Sequence, residues 1–134
     1  RGHDVTLFDA REQLGGALAL WASLPARGFF FKAIEWGERE PARLGVNIHR
    51  GTEATAAAVL RAKPEAVIVA TGARYSKGGR SAFLDIDIPG HEQSFVHRPE
   101  DIILGTARPS GKVLLLDGEG LHTSAGVAEM LSSA

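Results

Sequence analysis

The 134-residue sequence predicts an α/β protein whose strands share one parallel sheet. Three observations lead there. Short apolar runs, VTLF at 5–8, VNIH at 46–49 and AVIVA at 66–70, alternate with helix-forming stretches, a succession that implies parallel pairing through crossovers. A carboxylate, Asp9, closes the first run, where a nucleotide-binding sheet presents its ribose ligand. An apolar run followed by a glycine turn and a small-residue helix, KVLLLDGEGLHTSAGVAEM at 112–130, has the form of the opening βα unit of such a sheet. Together these describe a partial Rossmann-like, three-layer parallel sheet. The first strand and its Gly-rich loop are missing from it, because that loop belongs about 20 residues before the ribose carboxylate and too few residues precede Asp9.

In chain order, Val5-Thr6-Leu7-Phe8 is the first strand. REQLGGALALW at 11–21 is broken by Gly15-Gly16 before a short apolar segment resumes. Residues 28–44 carry a helical stripe of Phe29, Phe30, Ala33 and Ile34, with Lys32, Glu35, Glu38 and Arg39 toward water. Pro41 is expected to kink or end that helix near Glu40, with a loose last turn to Gly45, its C-terminal stop. After the strand at 46–49, Thr52 to Thr55 offer a cap for a small helix that Pro64 stops. Ala66-Val67-Ile68-Val69-Ala70 reads as a buried strand closed by Thr71-Gly72.

Residues 73–110 are rich in turn residues, with brief apolar runs at 82–88 and 102–104, and read as a connection between two lobes. Arg74, Lys77 and Arg80 are taken as a solvated face that has the charge to meet a phosphate. Val113-Leu114-Leu115-Leu116 is the next buried strand, and Gly118 and Gly120 supply a G-x-G turn. The third glycine of G-x-G-x-x-G is replaced by Thr123, and Asp117 and Glu119 bring negative charge to the turn. At about 4 Å a carboxylate opposes a phosphate by on the order of 1 kcal/mol in water and more near a protein surface. The expected domains are residues 1–76, 77–110 and 111–134. Both ends read as cuts through a larger protein: Arg1 runs almost at once into a strand, and Ser132-Ser133-Ala134 falls where a helix would hand over to a further strand.

A formal net charge of −1, with both signs interspersed, argues against a nucleic-acid or anionic-membrane surface. No apolar run has the length of a membrane span, and a cytoplasmic setting is expected. With no cysteine the chain holds no disulfide, thiol nucleophile or Fe-S ligand. The five histidines, His3, His49, His91, His97 and His122, lack metal-ligand spacing, and no metal site is expected. His122, just past the glycine turn, reads as a capping or solvated residue ahead of a contact with a nucleotide phosphate. Asp85 and Asp87, on one side of an extended segment, read as a hydrated face, so no catalytic residue is expected.

RGHDVTLFDA with LGG, the helix ending in RLGV, GTEAT, VIVATG, IPG and KVLLLDGEG follow one another in an order that resembles the pyridine-nucleotide-disulfide-reductase-like part of the NADH:flavin oxidoreductases related to 2,4-dienoyl-CoA reductase and trimethylamine dehydrogenase. The resemblance covers essentially the whole chain. It implies a lobe that holds FAD, or ADP in the amine dehydrogenases. Asp9 would take the adenosine ribose, with Arg11, Gly15 and Gly16 along the dinucleotide. Glu53 and Ala54 would flank the adenine, and Ala70, Thr71 and Gly72 would pass the pyrophosphate. Gly118 and Gly120 would begin a second lobe, which takes NAD(P)H in reductases and is largely vestigial in amine dehydrogenases. FMN, its N-terminal barrel and an Fe-S cluster would lie elsewhere in the parent. The expected function is thus a nucleotide-cofactor-binding fragment of a flavin-dependent oxidoreductase, inactive by itself. The alternative is a noncatalytic α/β interdomain or oligomerisation module, and an exposed sheet edge would suit a homo-oligomer.

Overall fold

The computed structural model describes residues 2–80, 85–118 and 120–133. Its elements are β1 (Thr6–Phe8), α1 (Gly16–Ala22), a 3-10 turn (Gly28–Phe30), α2 (Phe31–Arg43), β2 (Asn47–His49), α3 (Ala56–Arg61), α4 (Pro99–Ile103) and α5 (His122–Ser132). The chain divides into two units, one of Arg1–Ala19 with Phe29–Gly72 and one of Leu20–Gly28 with Ala73–Ala134.

In the first unit β1 and β2 pair in parallel, with Thr6 opposite Asn47, Leu7 opposite Ile48 and Phe8 opposite His49. The connection between them is helical, as parallel pairing requires. α2 runs through Pro41 to Arg43 and does not end near Glu40. A proline nitrogen removes one helical hydrogen bond, and the next turn survives because the chain closes it with a glycine-based stop. Gly45 takes φ +77°, its N–H donates to the Ala42 carbonyl at 3.1 Å, and the Val46 N–H donates to the Pro41 carbonyl at 2.9 Å. Gly37, in the middle of α2, faces open space where a Cβ would stand. Gly37→Ala is therefore expected to stabilise the unit by about 0.5–1 kcal/mol, raising the urea midpoint with an unchanged slope. α3 starts where Thr55 accepts the Ala58 N–H at 3.2 Å.

The second unit has a small core of Leu24, Ile103 and Val127, with Leu20, Ile102 and Leu131 packed against it. α5 lies against Leu24 at Gly126, where an added Cβ would come within 2.7 Å of Leu24 Cδ1 and 3.2 Å of Leu24 Cβ. Arg27 fastens the loop after α1 by donating to Glu129 and to the Pro25 carbonyl, each at 2.6 Å. α4 opens on an Arg98–Asp101 fork. The Asp101 carboxylate accepts from the Arg98 backbone N–H at 3.1 Å and from the guanidinium at 3.1 and 2.9 Å. Hydrogen bonding and charge from Arg98 hold the Asp101 carboxyl below its usual range. Its contribution is thus present above the ordinary carboxylate pKa, about 3.9, and is lost as pH falls through the lowered value. Asp101→Asn should lower the midpoint at pH 7, and the difference from wild type should close in acid titration followed by circular dichroism.

Two expected strands take a different form. Residues 66–70 and 113–116 belong to no sheet among the described residues and make no backbone hydrogen bond there. Their side chains are not buried: Ile68 is 91% exposed and Leu114 82%. An all-apolar run becomes a buried strand only when neighbours pair on its edges and layers cover its faces, and neither occurs among the described residues. Of the run at 82–88, residues 82–84 lie outside the described residues, as do Arg1, Ser81, Glu119 and Ala134, including the Glu119 charge and both chain ends that the sequence singles out.

Candidate functional site

The carboxyl ends of β1 and β2 form the first candidate site. Here the ladder continues past the strands: the Asp9 N–H donates to the His49 carbonyl at 2.9 Å, the Thr52 N–H to the Asp9 carbonyl at 2.9 Å and the Gly51 N–H to the Arg11 carbonyl at 3.1 Å. These bonds zip residues 9–11 to residues 49–52, so Asp9 and Arg11 are brought beside the loop leading to Glu53 and Ala54. Asp9 Oδ1 accepts the Arg11 N–H at 2.9 Å, while Oδ2 has no partner among the described residues and remains able to accept from a hydroxyl. Arg50, the neighbouring cation, pairs with Glu38 on α2 at 3.4 Å.

Gly51 is required by its backbone conformation. It takes φ +59°, and a Cβ there would run into the Glu12 carboxylate. Gly51→Ala is expected to cost about 1–2 kcal/mol from the left-handed backbone alone, read as a lower urea midpoint. Gly15 is also spoken for by packing, since its Cβ position lies 3.1 Å from Ile34 of α2. Gly16 opens α1. Ala70, Thr71 and Gly72 are exposed, and no hydrogen bond among the described residues ties them to residues 9–11 or 49–54.

One feature of this site escapes the sequence patterns. The rings of Phe8 and His49 stack, with centroids 4.9 Å apart and planes 14° from parallel. The cue that identifies them is register, which sets the last residues of two parallel strands side by side, and register is not a motif.

The second candidate site, in the other unit, surrounds the glycine turn. The Gly120 N–H donates to Asp117 Oδ1 at 2.9 Å, so an amide that a phosphate would need is already taken by a carboxylate of the same turn. Thr123 is 3% exposed, and its hydroxyl accepts from the Tyr75 hydroxyl at 3.0 Å. His122, exposed at the start of α5, meets Trp21 edge-on with centroids 5.3 Å apart. A pocket of about 240 Å³ lies beside the turn, lined by Gly79, Ile88, Leu116, Asp117 and Gly118. It is smaller than the roughly 300–1,000 Å³ that encloses a drug-sized ligand. Two of the loop cations are committed nearby. Arg80 donates to Asp87 at 2.9 Å, lowering the Asp87 carboxyl's pKa, and Lys77 donates to the Gln93 carbonyl at 3.0 Å.

Among the described residues no three His, Asp or Glu side chains group as metal ligands, and no helix is long and apolar enough to cross a membrane.

No family model matches the chain, and no solved structure matches it. It is 33% identical over 134 residues to the protein named "Probable N-methylproline demethylase" of Rhizobium meliloti, covering all of this chain and 18% of that one. It is 35% identical over 121 residues to the N,N-dimethylglycine/sarcosine dehydrogenase of Chromohalobacter salexigens, covering 87% of this chain and 17% of that one. It is 27% identical over 145 residues to the dimethylamine dehydrogenase of Hyphomicrobium, covering 100% and 19%. The chain thus spans under a fifth of the length of these relatives. Over that stretch it belongs to the family of NADH:flavin oxidoreductases related to trimethylamine dehydrogenase and 2,4-dienoyl-CoA reductase.

Proposed function

We propose that the chain is the nucleotide-holding stretch of a flavin-dependent oxidoreductase. It supplies the ribose and adenine side of an FAD or ADP site from the β1–β2 ends and opens an NAD(P)H-type lobe at residues 112–131. The observation that carries this reading is Asp9, a carboxylate at the end of a parallel strand, with one oxygen held by the Arg11 N–H and the other open. That arrangement orients the carboxylate before a ribose hydroxyl arrives. Arg11 would lie along the dinucleotide, and residues 53–54 would flank the base. The flavin supplies the redox chemistry when bound, and these residues bind and orient it. In the parent, electrons would pass between NAD(P)H and flavin in a cytoplasmic enzyme, and secondary or tertiary methylamines are the substrate class that the relatives' names suggest.

In the fold proposed with it, residues 66–70 and 113–116 take strand positions in Rossmann-like three-layer sheets completed by other parts of the parent, including a strand and glycine-rich loop ahead of β1. Ala70, Thr71 and Gly72 would then pass the pyrophosphate. The self-capped turn at 117–120 favours a second lobe that is structural rather than nucleotide-binding, as a reading for that lobe alone.

Calorimetric titration of residues 1–134 tests the proposal. ADP and FAD are expected to bind weakly, in the high micromolar range or above, and Asp9→Ala should abolish that binding. Submicromolar FAD affinity, or ADP binding indifferent to Asp9, would overturn this map.

A further inference from the structure

We propose that the stacked Phe8 and His49 rings form the platform on which the adenine ring of the nucleotide lies, with the His49 imidazole as the contacting face. The inference rests on the reading of Asp9 as the ribose ligand and adds a base-recognition residue to it.

Phe8 and His49 are register partners, so their side chains leave the strand pair on the same face as Thr6 and Asn47, two residues earlier. Thr6, Asn47 and His49 are exposed and Phe8 is half-buried, whereas Leu7 and Ile48 on the opposite face are both half-buried. The ring pair therefore stands on the open face of the strand pair, at its carboxyl ends. Its flatness is set in advance by backbone pairing on both sides, since the strand ladder precedes the rings and the Asp9-to-His49 bond follows them. A purine that stacks there meets a surface that needs no reordering. Asp9 is the next residue after Phe8, so the ribose carboxylate and the ring pair share the carboxyl ends of the strand pair, and the cation after His49 is paired with Glu38 of α2. Every nucleobase has a π face, so the fit is to a flat aromatic ring attached to a ribose.

The test uses the isotopically labelled 134-residue chain, titrated in parallel with ADP and with ribose 5-phosphate, which lacks the base. ADP should move the His49 ring-proton resonances upfield through ring-current shielding, and ribose 5-phosphate should leave them in place. His49→Ala should weaken ADP binding about tenfold, ~1.4 kcal/mol, without changing ribose 5-phosphate binding, and His49→Phe should restore it. If ADP binds and depends on Asp9 while the His49 protons stay still, or if His49→Ala binds ADP as wild type does, the platform is wrong and the nucleotide reading stands. If ADP at millimolar concentration shifts no resonance, both fall together. The ring-proton readout needs no variant, so misfolding of His49→Ala does not blunt the test.

Discussion

Leu24→Ala is expected to destabilise the second unit by about 3 kcal/mol, within the 2–5 kcal/mol typical of emptying a leucine site. Leu24 is 3% exposed and forms, with Ile103 and Val127, the buried apolar cluster of that unit among the described residues. So small a core has few neighbours able to collapse into the space. The loss is a large part of the roughly 5–15 kcal/mol that holds a whole domain folded. Trp21 stands in this unit against His122 and reports on it, and Trp36→Phe removes the other tryptophan, so fluorescence-monitored urea melting reads the loss directly.

A second substitution tests the mechanism. Gly126→Ala alone should cost about 1–2 kcal/mol, because the added methyl meets Leu24 Cδ1 at 2.7 Å and this overpacking outweighs the gain in helix propensity. On the Leu24→Ala background the same change should cost clearly less, since the Cδ atoms it would strike are gone and only the contact with Cβ at 3.2 Å remains. Equal costs on both backgrounds would show that Gly126 is not the seat of Leu24.

What the sequence made legible follows from how local each decision is. The stop at Gly45, the Thr55 cap, the strand at β2 and the helix from 122 are settled by residues a few positions apart, and the pattern contains them. At Pro41 the pattern shows the lost bond, and with it a kink or an end, and does not show that Val46 and Gly45 close the turn after it. The sequence shows Asp117 as negative charge opposing a phosphate and does not show that it also caps its own turn, a competition between side chain and ligand for one amide. The Tyr75–Thr123 bond joins residues 48 apart, and the Phe8–His49 stack depends on the register of strands joined by a 38-residue connection, so neither leaves a short-range trace. Burial of residues 66–70 and 113–116 is the least legible property of all. Composition states that those residues are apolar and says nothing about what will cover them.

The chain of 134 residues is expected to self-associate, and substitutions at the two apolar segments should abolish this while leaving each unit folded. Val67, Ile68 and Val69 are 57%, 91% and 79% exposed, and Leu114 and Leu116 are 82% and 66% exposed. The segments that carry them have backbone groups without hydrogen-bond partners among the described residues. Adjacent apolar side chains with unpaired N–H and C=O groups are a template for strand addition, and a second copy of the chain is the neighbour always present in a pure sample. Amides at 66–70 and 113–116 should exchange with deuterium within the dead time in dilute solution, while those of β2 are protected by pairing with β1. Raising the concentration should increase both the sedimentation coefficient and the protection at those same amides. Ile68→Lys with Leu114→Lys places a charge in each segment at positions that contribute no core, so the melting of Leu24 and its neighbours should be unchanged. If the doubly charged variant sediments as wild type does, association runs through another surface. If wild-type amides at 66–70 are protected at every dilution, these segments already have partners within the chain, and the proposal that other parts of a larger protein complete the sheet loses its basis.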